Sequence, residues 1–112
     1  MNMFSWMLVG HMVGDFLLQT GWMAKKTINI TSLLTHCLVY TLTIYIAVLP
    51  AGGLSLKAII VIFASHIVLD HRKFVLFWVR RVNNAESLPW MNIVIDQCFH
   101  LLVLALTAQY LN

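Results

Sequence analysis

Charge is scarce in this chain. Asp, Glu, Lys and Arg make up 10% of its 112 residues, against about 25% in soluble domains. Apolar residues reach 61%, where soluble domains hold roughly 45–50%. A water-soluble fold of this length cannot hide that much apolar surface, so the composition points to one integral membrane domain. Other absences narrow the reading. No basic patch with interleaved aromatic residues is present, and the net charge of +3 comes from Lys and Arg at the ends of hydrophobic runs. Nucleic acid is therefore not an expected partner, whereas lipid is. Neither Cys37 nor Cys98 belongs to a CxxC pair; both read as small apolar residues inside hydrophobic runs and say nothing of redox compartment. No Lys or Arg precedes the first apolar run, and Asp15 interrupts it, so this segment reads as a helix rather than a cleavable signal. No internal repeat is visible by residue identity.

Four hydrophobic stretches are present, and a membrane helix needs about 20 mostly apolar residues. The expected architecture is an all-α, four-helix transmembrane bundle with spans at about 3–24, 29–49, 56–72 and 90–111. Lys25-Lys26 ends the first span, Pro50-Ala51-Gly52-Gly53 breaks the chain after the second, and Pro89 precedes the fourth. Residues 73–82 mix Lys73, Arg80 and Arg81 with Phe74, Leu76, Phe77 and Trp78; they either extend the third helix beyond the membrane or bend to lie along the interface as an amphipathic helix. Six basic residues (Lys25, Lys26, Arg72, Lys73, Arg80, Arg81) fall on one side and Lys57 alone on the other. The positive-inside rule then places loops 25–28 and 73–89 in the cytoplasm and both termini outside. Trp22, Trp78 and Trp90 fall near the cytoplasmic boundary, as an aromatic belt does.

Each stretch also carries groups that a bilayer excludes. His11 and Asp15 lie four residues apart, as do His66 and Asp70, and Asp96 and His100; His36 stands on the second stretch. Four residues is about one helical turn, so each pair projects from one side of its helix. With a rise of about 1.5 Å per residue, all of these groups fall in the cytoplasmic half of the bundle, where they can meet in one layer. Gln19 follows Asp15 by four, Asn92 precedes Asp96 by four, and Ser32, His36 and Tyr40 form one stripe. An ionised residue near the membrane centre costs about 2.5–3.5 kcal/mol on insertion scales, so three Asp need compensation. A divalent metal supplies it. Imidazole with carboxylate suits zinc first and iron or manganese next, while calcium and magnesium prefer oxygen shells.

The candidate metal ligands are His11, Asp15, His36, His66, Asp70, Asp96 and His100. They exceed the set one zinc needs, so either two metals bind or some residues orient the ligands. A lone intramembrane His such as His36 is most often interhelical glue, but three pairs plus a histidine outnumber that explanation. Haem suits the neighbouring carboxylates poorly.

The segments HMVGDFLLQTGWMAKK, LLTHCLVYT, SHIVLDHRK and IDQCFH, taken with these pairs, resemble an uncharacterised prokaryotic and phage family, domain of unknown function 3307. The resemblance covers nearly the whole chain. It implies a small multi-span membrane protein in which His11, Asp15, Gln19, His36, His66, Asp70, Asp96, Gln97 and His100 match the family's motifs, and it implies no activity. By analogy alone, the His/Asp pattern is similar in style to membrane-bound metal-dependent hydrolases.

The leading functional expectation is a metal-dependent hydrolase acting on a lipid or lipid-linked substrate. The histidines would be nitrogen ligands, and Asp15, Asp70 and Asp96 oxygen ligands or a general base. Gln19 and Gln97 would donate to a substrate oxyanion, and Arg72 and Lys73 would attract a headgroup phosphate. Two rivals stand beside it. One is a proton or metal-ion transport or channel subunit, which with four spans requires a homo-oligomer or protein partner. The other is a non-catalytic membrane adaptor working through its basic segment, Arg72 to Arg81.

Overall fold

The computed structural model describes all 112 residues, and it is all-α, with five α-helices and no strand. Helix α1 (Met3–Met12) opens on Asn2, whose side chain accepts the Ser5 amide, and runs on into a π-helical turn, Val13–Leu17. A short 3₁₀ segment, Met23–Thr27, follows. Helix α2 (Ile30–Ala47) is capped by the Asn29 side chain, and α3 (Leu56–Asp70) by Ser55. Helix α4 (Lys73–Arg81) and helix α5 (Pro89–Leu106), with a π-helical end at Thr107–Leu111, complete the chain. Each cap supplies an acceptor for amides that the first helical turn leaves unbonded.

Two helices are long and apolar enough to cross a membrane, Ile30–Ala47 and Pro89–Leu111. The other two expected spans are shorter than the sequence suggested. The first does not continue as a helix to residue 24. After the wide turn at Val13–Leu17 the chain bends, and it resumes as the 3₁₀ segment, with Thr20 Oγ1 accepting the Met23 amide. The third ends at Asp70 rather than 72, because Arg72 adopts a left-handed conformation (φ 73°) that no helix continues through. Met3–Leu17 and Leu56–Asp70 each hold 15 residues, about 22 Å of helix against a hydrocarbon core of about 30 Å. The turn at Arg72 also makes α4 a separate helix, so the segment at 73–82 bends away instead of extending α3. Val75 and Val79 are buried, Phe74 and Trp78 pack on Phe99 of α5, and the basic residues lie toward its ends.

The outer surface is apolar in stripes. Leu34, Leu38, Leu42 and Ile46, each one turn from the next, all face outward on α2, and Ile93, Val94, Leu102 and Leu106 do so on α5. The interior holds two apolar clusters. Met7, Tyr40, Ile44, Val48, Ile62 and Leu104 form one, bordered by Met3, Trp6, Leu54 and Ala108. Leu69, Val75, Val79 and Ala85 form the other, against α5. At the first end, Asn112 Oδ1 accepts the Ser55 amide at 2.7 Å, tying the last residue to the turn that follows α2.

Helices α1 and α2 approach closely because two glycines face α2. A Cβ on Gly10 would lie 3.0 Å from both the Ala47 Cβ and the Ile44 backbone, and one on Gly14 would lie 3.2 Å from the Tyr40 backbone. Gly10-x-x-x-Gly14 is the small-residue spacing that lets membrane helices pack backbone to backbone. It places His11 and Asp15 against the polar stripe of α2.

Candidate metal centre

Between the two apolar clusters lies a layer of buried polar side chains drawn from α1, its π-helical turn, α2, α3 and α5. Asp15, His36, His66 and Asp70 converge there. His36 Nε2 stands 3.0 Å from Asp15 Oδ1, 2.9 Å from Asp70 Oδ2 and 3.0 Å from His66 Nε2. His66 Nε2 stands 3.1 Å from Asp70 Oδ2 and 3.5 Å from Asp15 Oδ1. All four residues are at most 4% exposed. One ring nitrogen carries at most one proton, which points along one direction in the ring plane. It cannot serve three partners near 3 Å at once, whereas a cation at their centre can.

A second group, Asp70, Asp96 and His100, adjoins the first. In both groups one ligand atom from each residue lies within 4.8 Å of the others. Asp70 belongs to both, one oxygen directed to each side. His100 Nδ1 donates to the Asp96 backbone carbonyl at 2.7 Å, and its Nε2 stands 3.2 Å from Asp70 Oδ1.

The remaining residues hold this layer in place. His11 Nε2 donates to Gln97 Oε1 at 2.8 Å, which leaves Nδ1 to accept the Tyr40 hydroxyl at 2.9 Å. Both of its nitrogens are thereby occupied, and His11 lies outside both groups of convergent ligand atoms. Gln97 Nε2 stands 3.3 Å from Asp15 Oδ2 and from Asp96 Oδ2, linking the two groups. Its amide protons are thus directed at carboxylates. Gln19 accepts from Lys26 Nζ at 2.8 Å. Tyr40 stacks face to face on His66, centroids 3.6 Å apart and planes 9° from parallel, so its ring fixes the imidazole that points at Asp70.

Two basic side chains that were not expected among the carboxylates enter the site. Lys26 is buried and donates to Asp70 Oδ2 at 2.8 Å. Arg72 Nη2 stands 3.8 Å from Asp96 Oδ2. Three carboxylates therefore face two fixed cations, a deficit that a protonated imidazole or a bound metal removes. The cavity beside His66 and His100, between Tyr40, Leu69 and Leu104, measures about 10 Å³, the lower limit for a single water. The layer is thus packed with donors and acceptors and holds little free solvent.

Of the seven candidate ligands the sequence spacing offered, the structure gathers six, with Asp70 shared between the two groups. The spacing left out Lys26, whose position just after a hydrophobic run is the ordinary signature of a membrane anchor. It also left out Tyr40, whose place on the Ser32–His36–Tyr40 stripe was the available signal. The motif resemblance holds across the chain: the sequence profile of the family described as "Protein of unknown function (DUF3307)" matches residues 3–112. No curated protein and no solved structure matches. A buried His/Asp layer carried on motifs that run from the first helix to the last, within one continuous match, places this chain in the DUF3307 family.

Proposed function

We propose that the chain is an integral membrane metalloprotein that holds at least one divalent cation between Asp15, His36, His66 and Asp70, and that hydrolyses a lipid or lipid-linked substrate. One observation carries the metal reading. Five of the six separations among these four ligand atoms measure 2.9–3.5 Å. A tetrahedral zinc with bonds of about 2.0–2.1 Å sets its ligands about 3.3–3.4 Å apart. The donor set, two imidazoles and two carboxylates, suits zinc first and iron or manganese next. Energetics favour it too. Three intramembrane Asp cost about 2.5–3.5 kcal/mol each on insertion scales, and a structural zinc site supplies about 10–16 kcal/mol.

Hydrolysis is the chemistry a cation in this layer would supply, by lowering the pKa of a water at an open coordination position. Asp96, held by Gln97 beside the cluster, would serve as a further oxygen ligand or as the general base. Arg72 and Lys73, at the break between α3 and α4, are placed to attract a headgroup phosphate from the inner leaflet. The arrangement is a four-span bundle in a prokaryotic inner membrane, loops 25–28 and 73–89 cytoplasmic and both termini outside. The shorter α1 and α3 span by local thinning of the bilayer. Supporting this, Asn112 meets the turn that follows α2, opposite the basic loops.

The test is elemental analysis of the full chain purified in mild detergent, beside Asp15→Asn and His36→Ala. Wild type should carry zinc, iron or manganese; the variants should insert normally and lose it. Chelator-sensitive release of product from phospholipid vesicles, followed by mass spectrometry, would support the hydrolase. Unchanged metal content in both variants would end the proposal, and tolerance of Ala at every buried Asp and His would favour the adaptor. The cavity in contact with His66 and His100 measures only about 10 Å³, which favours a second reading, translocation of protons or metal ions by an oligomer. Metal or pH flux into reconstituted vesicles, without hydrolysis, would favour that one.

A further inference from the structure

We infer that the layer binds a second divalent cation, held by Asp70, Asp96 and His100, with the Asp70 carboxylate bridging the two ions. This inference rests on the metal reading of the Asp15–His36–His66–Asp70 cluster and adds a second ion to it.

The argument starts from His100. A backbone carbonyl only accepts, so the 2.7 Å contact from Nδ1 to the Asp96 carbonyl places the ring proton on Nδ1. The lone pair of a neutral ring is then on Nε2. That atom lies 3.2 Å from Asp70 Oδ1, without the alignment of a hydrogen bond. Three atoms of this group are buried and meet no hydrogen-bond partner: His100 Nε2, Asp70 Oδ1 and Asp96 Oδ1. They come from the three residues whose ligand atoms gather within 4.8 Å. Buried acceptors are almost always paired, so three together mark a missing positive centre. A proton on Nε2 would be misaligned for Asp70 Oδ1 and would leave Asp96 Oδ1 unmet. The Nδ1–H···O=C contact is also the common way of fixing a metal-ligating histidine so that Nε2 faces the metal.

Asp70 has the geometry of a bridge. Its Oδ2 faces His36, His66 and Lys26, while its Oδ1 faces His100. Two-metal hydrolytic sites hold their ions about 3.5–4 Å apart, a span one carboxylate covers. The second position has three protein ligands, one of them shared, and Arg72 stands 3.8 Å from Asp96. It therefore fills after the first and keeps room for a water or a substrate oxygen. This gives the proposed hydrolase an open coordination position, which the four-ligand cluster lacks.

The experiment titrates metal-stripped full chain in detergent with Mn(II), reading bound metal by elemental analysis and coupling by electron paramagnetic resonance. Wild type should bind two ions per chain, the first giving the pattern of isolated Mn(II) and the second an exchange-coupled spectrum. His100→Ala should keep the first ion, with affinity within about 3-fold, and weaken the second by about 100-fold, on the scale of lost metal-site partners. His100→Gln guards against a folding defect and should behave alike, with helicity unchanged. Two ions without coupling would overturn the bridge. One ion, unaffected by either His100 variant, would overturn the second site and leave the first standing. No bound ion would overturn both readings.

Discussion

Two buried layers of this molecule are equally closed to solvent and are held by different physics. In the apolar layer, Met7, Ile44, Val48, Ile62 and Leu104 fill space with interdigitated side chains. In the polar layer, Asp15, His36, His66, Asp70, Asp96 and His100 are packed as tightly, but each contact is a charge or a lone pair that needs an opposite. Tyr40 belongs to both, its ring in the first and its hydroxyl on His11 in the second. Apolar packing stabilises any arrangement that fills the volume, within limits. A polar layer is stable only when its partners are all present, so it fixes which helices meet and in what register.

The contrast can be broken most strongly at Asp70. Asp70→Asn removes the residue common to both metal groups and leaves Lys26 buried without its carboxylate. Loss of one partner of a buried pair costs about 3–5 kcal/mol, and metal content should fall to background. Unfolding in detergent micelles and elemental analysis on the same sample measure both effects. On the apolar side, Ile44→Ala or Leu104→Ala should cost about 2–5 kcal/mol while metal affinity stays within a few-fold. A large loss of metal in these variants would show that the two layers are not separable. Gly14→Leu tests the joint between them. It drives a side chain into the Tyr40 backbone and should cost about 1–3 kcal/mol. It should also weaken metal binding, because α1 carries Asp15 away from His36; crosslinking between α1 and α2 would report the separation.

The smallest and most pointed change is Lys26→Met. Lys26 and a bound metal share Asp70 Oδ2, so removing the ammonium should raise divalent-metal affinity by about 10-fold, an effect of about 1.4 kcal/mol. The metal-free protein should become less stable, because Asp70 loses its fixed partner. Weaker metal binding in Lys26→Met would mean that the lysine orients Asp70 rather than competing for it.

Much of this was legible in the amino-acid order. Four apolar stretches, their Pro, Gly and Lys boundaries, and the one-turn spacing of His and Asp located the helices and turned the polar groups to the right faces. The bend after Leu17 was not legible, because Leu17, Leu18, Trp22 and Met23 look like the continuation of a span; what ends the helix is the wide turn around Asp15 and the way α1 sits on α2. That bend is also what carries Lys26 back under the bundle to Asp70. His11 was read as a ligand from its spacing to Asp15, but Tyr40 and Gln97 reach it first, and no local pattern encodes a contact between residues so far apart in sequence. The three acceptors at Asp70, Asp96 and His100 without a donor were invisible at the level of spacing; they depend on which ring nitrogen meets the Asp96 carbonyl. The role of Gly10 and Gly14 was not read from the sequence; it became clear only from what a methyl group there would strike.

Lys26 also bears on how the protein is made. Its ammonium is tethered by the same short segment that joins the first two helices, so it arrives at Asp70 as part of the polypeptide. On the proposed membrane reading, a newly synthesised chain brings its own counter-ion for Asp70 with it. On the proposed metal reading, helix assembly then need not wait for a cation from the cell.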